Sequence, residues 1–233
     1  MNKVSYFLVT HGSRNPSAVE FLHNLVKLAQ AKSENLVGGG LLEGQELSLS
    51  QQLVNFGKVA QAQGYAEILI LPIFLLAGVH VCDDLPEQVA IAQKISELKF
   101  KLVDRFGAYP EIPQLLKTKF PQDASAKILL AHGSRLSETT KYLENLAQNL
   151  DAIPAYWSIA PSLETQIEQL INLGHSEITI LPYFLASGGI MEAIANKISN
   201  YSISIQLLEL PFQAEAIAKL VINYAQSCTL EEK

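Results

Sequence analysis

Short runs of consecutive apolar residues alternate along this chain with longer stretches in which apolar residues recur every three or four positions. The first kind predicts buried strands, and the second predicts amphipathic helices packed on them. Residues 4–9, 36–42, 68–71 and 100–103 read as strands, the second interrupted by Gly38-Gly39-Gly40. Val19, Leu22, Leu25, Val26 and Ala29 make one helical stripe, with Asn15 as its N-cap and Pro16 in its first turn. Leu49, Leu53, Phe56 and Ala60 make another, and Asp84-Leu85-Pro86-Glu87 reads as a capping box that opens a third helix. The pattern then restarts. Residues 127–131, 155–159, 178–181 and 203–207 are strand-like, and a helix capped by Ser137 carries Leu143, Leu146, Ala147 and Leu150. Strands apolar at nearly every position are covered on both faces, and strand–helix alternation makes their sheets parallel.

The restart is a repeat. His11-Gly12-Ser13-Arg14 recurs as His132-Gly133-Ser134-Arg135, each after an apolar run. A second block, from Gly64 through Leu71-Pro72 and Phe74-Leu75 to Gly78, recurs in the same order from Gly174 through Leu181-Pro182 and Phe184-Leu185 to Gly188. Two blocks repeated in order predict two homologous, doubly wound α/β lobes, each a four-stranded parallel sheet flanked by helices. The expected lobes are residues 1–120 and 126–233, joined by the polar turn Pro121-Gln122-Asp123-Ala124-Ser125. Ligands of such sheets bind beyond the carboxyl ends of the strands. His11, His132 and the segment around His80 all follow predicted strands, so a cleft between the lobes is where they are expected to converge.

Composition narrows the function classes. Hydrophobic residues make up 48% and charged residues 17% of the 233, a ratio that excludes disorder. A net charge of -6 sets the chain apart from general nucleic-acid binders, which carry a basic excess. Residues 68–81 are the most apolar stretch, but Pro72 and His80 interrupt it and it is too short to span a bilayer. The N-terminus reads as a first strand rather than a secretory signal. Cys82 and Cys228 cannot build a disulfide framework or a four-cysteine cluster, so a reducing cytoplasm or stroma fits, with the cytoplasm expected. Gly38-Gly39-Gly40 has neither phosphate-loop spacing nor dinucleotide spacing and reads as a permissive bend.

The order Thr10-His11-Gly12-Ser13-Arg14, Leu42-Glu43, Leu71-Pro72-Ile73-Phe74-Leu75 to His80, then Asp84-Leu85-Pro86-Glu87 resembles the class II chelatases, over essentially the whole chain. That group contains the sirohydrochlorin ferrochelatases and cobaltochelatases. The resemblance implies insertion of a divalent metal into sirohydrochlorin, with Fe2+ preferred and Co2+ the alternative. The ion is then a substrate, and no cofactor is permanently bound. The implied catalytic residues are His11, His80 and Glu43, with His11 and His80 as metal ligands; Glu46 is the rival to Glu43. Imidazole suits Fe2+ and Co2+ and takes a proton near neutral pH. Ser13, Arg14 and Arg135 are expected to bind the substrate, since guanidinium pairs bidentately with the carboxylates of a tetrapyrrole. Cys82 reads as a small buried apolar residue, with a soft ligand as the alternative.

The repeat tests that assignment from within. His11 has a twin in His132, but His80 aligns with Ile190, and the counterpart of Glu43 lies in Ala155-Tyr156-Trp157-Ser158, which holds no acid. The complete set therefore belongs to the first lobe, and the second is a degenerate repeat. A histidine phosphatase would need arginine where Thr10 stands. A non-catalytic tetrapyrrole or metal carrier would keep the histidines without turnover. The expected partners are a tetrapyrrole and a divalent ion, without nucleic acid or membrane, in a monomer or homodimer.

Overall fold

β1 (Lys3–Thr10) is buried from Ser5 to Thr10, which places it inside a sheet rather than at an edge. The computed structural model describes residues 3–13, 16–78, 80–186 and 189–230. β1 leads to helix α1 (Pro16–Gln30), β2 (Val37–Leu41), α2 (Leu49–Ala62) and β3 (Tyr65–Pro72). A π-helical turn (His80–Asp84), α3 (Leu85–Ile95) and β4 (Lys99–Leu102) follow. The four strands pair in parallel in the order β2-β1-β3-β4. Phe7 and Val9 of β1 face α2 and α3, where Leu49, Leu53, Leu85 and Val89 complete one core. Each such aliphatic side chain, wholly removed from water, contributes about 1.5–3 kcal/mol. Ser48 starts α2 with a reciprocal capping box: its hydroxyl accepts from Gln51 N–H and the Gln51 side chain accepts from Ser48 N–H.

The second half repeats the plan. α4 (Ile112–Lys117) precedes β5 (Lys127–Ala131), α5 (Ser137–Asn149), β6 (Ile153–Tyr156), α6 (Leu163–Asn172), β7 (Glu177–Tyr183), α7 (Ile190–Ile198) and β8 (Ser204–Leu207). The order is β6-β5-β7-β8, again all parallel. The chain closes with α8 (Ala214–Leu230). No helix among the described residues is long and apolar enough to cross a membrane.

The chain packs as two units, Met1–Tyr109 with Gln213–Lys233 and Pro110–Phe212. α8 belongs to the first because it packs along α1 and reaches β3, with the Tyr224 ring stacked on Tyr109 at 3.8 Å. Some local sequence expectations differ from the structure. Gly38-Gly39-Gly40 is not a bend but the body of β2. A Cβ would fall 2.4 Å from Phe56 at Gly38, 2.7 Å from Val26 at Gly39 and 2.8 Å from Gln52 at Gly40, so the helices on both faces press directly on the strand. Ser137 is the first helical residue of α5 rather than its cap; Leu136 holds the cap position, and Ser134 Oγ accepts from Leu136 N–H. Asp84 makes no side-chain cap on α3. The expected N-cap Asn15 lies outside the described residues.

Candidate active site

β1, β2 and β3 end at Thr10, Leu41 and Pro72 on the same carboxyl edge of the first sheet. β1 lies between the other two, so the chain reverses its strand order here, the position where open parallel sheets bind ligands. The ladder outlasts the strands: Leu42 N–H donates to Thr10 O at 3.0 Å and Glu43 N–H to His11 O at 2.9 Å. Glu43 is thereby fixed beside His11. Two glycines lock the turns together. Gly12 (φ +83°) would place a Cβ 2.3 Å from Glu43 O, and Gly44 (φ +79°) would place one 2.4 Å from Ser13 C. Only glycine allows both this backbone conformation and this approach.

His80 opens the π-helical turn, which begins where Val81 N–H and Cys82 N–H both donate to Gly78 O. Its ring centroid stands 4.6 Å from that of His11, and the His11 ring meets Phe74 edge-on at 6.4 Å. Glu43 lies beside both: Oε2 is 4.0 Å from His11 Nε2 and Oε1 is 3.6 Å from His80 Nδ1. Asp84 Oδ2 is nearer still, 2.7 Å from His80 Nδ1. All four side chains are about half exposed. Contacts this open are worth about 0–1 kcal/mol each to stability, too little to account for gathering four titratable groups at one edge.

The arrangement suits a transient ion. With about 2.1 Å between nitrogen and metal, two imidazoles sharing one ion at a right-angled or tetrahedral angle have centroids roughly 4.6–5.3 Å apart, and the observed spacing falls at the lower end. Among the described residues no three His, Cys, Asp or Glu side chains close round one point as a metal cage. Glu43, rather than Glu46, is the carboxylate found beside both histidines.

Of the other predicted residues, Ser13 is exposed in the turn after His11, and Arg14 lies outside the described residues. Arg135 is exposed in the turn after β5, in the other packing unit. Cys82, expected to be buried, is exposed. It faces a cavity of about 530 Å³ behind the π-helical turn, shared with Leu85, Val103, Tyr224 and Cys228.

Among the described residues the second half has no such set. Ser158 N–H donates to His132 O as Glu43 N–H does to His11 O, which makes Ser158 the counterpart of Glu43; its hydroxyl folds back onto the same carbonyl at 2.7 Å. Ile190 packs against the core of the second sheet. Sequence reading missed the contact of Asp84 with His80 because its fit to a helix cap hid the His-x-x-x-Asp spacing.

The profile of the CbiX family matches residues 5–123 and, separately, residues 126–221. The chain belongs to the CbiX family. The double match makes each half of this CbiX protein a family unit in its own right. A sirohydrochlorin cobaltochelatase of Priestia megaterium is 24% identical over 225 residues, 88% of this chain and 72% of the relative. A sirohydrochlorin ferrochelatase of the same organism is 22% identical over 159 residues, 62% of this chain and 60% of the relative. Among solved structures, SirB from Bacillus subtilis with Fe3+ matches with a TM-score of 0.80 at 19% identity, covering 97% of this chain and 95% of that one. At that identity the match establishes the shared fold.

Proposed function

We propose that this CbiX protein is a lyase of the chelatase type that inserts a divalent metal ion into sirohydrochlorin. The observation that carries the reading is the His11–Glu43–His80 set beyond the strand ends of the first sheet, of which the second half keeps only the first histidine, as His132, with Ser158 and Ile190 at the other two positions. The reaction exchanges two pyrrole N–H protons for one M2+, so it needs ligands that strip water from the ion and acceptors for two protons. In this reading His11 and His80 hold the ion through ring nitrogens, and Glu43, beside both and half exposed, accepts the two protons one after the other, releasing the first to solvent before it takes the second. Ser13, Arg14 and Arg135 bind the substrate carboxylates, and the second unit is a degenerate repeat without a metal site. The family membership and the names of both Priestia relatives support this reading.

Two imidazoles and a carboxylate accept Fe2+ and Co2+ alike, so the donor set does not choose the metal. Iron is the first reading and gives sirohaem. Cobalt is the second, favoured by the relative that aligns over most of the chain. The test is anaerobic metallation of sirohydrochlorin by substoichiometric protein, with Fe2+ and Co2+ in parallel, followed by the absorbance change of the ring. Many turnovers per protein with either ion support a chelatase. A change that stops at one ring per protein makes the protein a carrier, and no acceleration over the protein-free rate sinks the reading.

A further inference from the structure

We propose that Asp84 is a positioning residue for the reaction inferred above: it holds the His80 ring by Nδ1, so that Nε2 is the ligating nitrogen and Glu43 stays free for the ion and its protons. The proposal rests on that reading and on three features of this chain. First, Asp84 Oδ2 and His80 Nδ1 are 2.7 Å apart, the short range of a charge-assisted hydrogen bond, whereas Glu43 Oε1 is 3.6 Å from the same nitrogen and outside bonding range. A neutral imidazole carries one N–H. A carboxylate acceptor at Nδ1 draws the proton there and leaves the lone pair on Nε2.

Second, Asp84 is not spent on its helix. It occupies the cap position of α3 with helical φ/ψ of -66° and -45° and makes no side-chain cap bond. Pro86, in the first turn, has no N–H to be capped, so α3 starts without a capping carboxylate at little cost. The π-helical turn supplies what the helix does not need: it spaces His80 and Asp84 four residues apart with their side chains in contact.

Third, the pair is exchanged as a unit in the second half. The alignment that pairs His80 with Ile190 pairs Asp84 with Ile194, which is wholly buried in the second core. Ile194 lies inside α7, which starts four residues earlier at Ile190, so the aligned position there is part of a helix packed on the core. The carboxylate is present where the histidine is present, and its position is apolar where that of the histidine is apolar.

Without Asp84, the nearest acceptor for Nδ1–H is Glu43. Turning toward it would free the ring to rotate and draw away the carboxylate that His11 shares. The experiment uses the full chain with Asp84→Ala and Asp84→Asn, the second keeping an acceptor oxygen at the same place. Long-range 15N–1H NMR reads the His80 tautomer, and Co2+ titration reads the site with no tetrapyrrole present. Expected is Nε2 unprotonated in the wild type, a changed tautomer pattern with Co2+ affinity lower by about 10–100-fold in Asp84→Ala, and recovery of both in Asp84→Asn. A wild-type His80 protonated on Nε2 overturns the proposal whether or not Asp84→Ala folds. An unchanged tautomer or unchanged Co2+ affinity in a folded Asp84→Ala overturns it too. If the wild type metallates no sirohydrochlorin, the functional reading fails by itself, and the tautomer and titration arms still decide Asp84.

Discussion

Replacing Gly12 by alanine should damage the site and the fold together, by an amount the structure allows to be worked out. The backbone at Gly12 has φ +83°, and a Cβ there costs about 1–2 kcal/mol from left-handed sterics alone. Gly64 isolates that cost, with φ +78° and nothing within 4 Å of where a Cβ would stand. At Gly12 the same Cβ meets Glu43 O at 2.3 Å and Leu41 Cβ at 2.9 Å. Neither neighbour can swing aside, since Glu43 N–H and Leu42 N–H are bonded back to His11 O and Thr10 O. Relief means breaking one or two of those bonds, at about 0.5–1.5 kcal/mol each. Gly12→Ala should therefore lose roughly 1.5–5 kcal/mol and Gly64→Ala roughly 1–2. Urea unfolding of the two variants beside wild type measures the difference, and Co2+ titration reports whether His11 and Glu43 have separated. Equal losses in the two variants, with Co2+ affinity intact in Gly12→Ala, would refute the interlocked-turn argument.

Three further predictions rest on the same structure. His11→Ala and His80→Ala should each lower metallation by about 100-fold or more with the fold intact, while His132→Ala, beside Ser158 and Ile190, should leave the rate near wild type; an equal loss at His132 would place catalysis in both halves. Glu43→Gln should cost about 100-fold in turnover, because it keeps the shape and removes the proton acceptor, and Glu46→Gln should behave as wild type; the reverse result would make Glu46 the site carboxylate. Burial, reinforced by Glu144, pushes the Tyr156 phenol upward. The folded chain thus keeps a proton that the unfolded chain loses near pH 10, and stability should fall as pH rises past that value. Tyr156→Phe should remove this alkaline loss and cost under about 1 kcal/mol at pH 7, because the buried hydroxyl has no hydrogen-bond partner among the described residues; urea midpoints at pH 7 and above 10 check it.

The strands were legible because they are set by local pattern, and the proposed site residues were named by the family resemblance. A parallel strand buried on both faces is a short apolar run, and the residue that leaves its carboxyl end reads as His11 or His132. The repeat doubled the signal. What was not legible depends on distant partners. Nothing in the periodicity of residues 214–230 says that α8 packs along α1 instead of the second sheet. The three glycines of β2 read as a bend because flexibility is a local property, whereas the press of Phe56, Val26 and Gln52 is not. Asp84 fits the cap pattern, but the pattern omits the competitor: an imidazole four residues upstream, brought within 2.7 Å by a π-helical turn that no apolar spacing announces.

The two halves together explain why the residues separate as they do. A strand-end glycine with φ near +85° is a requirement of the turn itself, so Gly12 and Gly133 both remain, and the histidine before each remains with it. The other residues of the proposed site carry no such requirement. Where the chemistry is absent, a half-exposed carboxylate or imidazole contributes little to folding, while isoleucine at the same place buries apolar surface at about 25 cal/mol per Å². Ile190 and Ile194 in the second core, and Ser158 turned back on His132 O, are what that balance selects. The first half, conversely, gives up that burial at His80 and Asp84 and leaves four titratable side chains half in water at one sheet edge. Stability does not account for that choice; the metal site proposed for His11, Glu43 and His80 would.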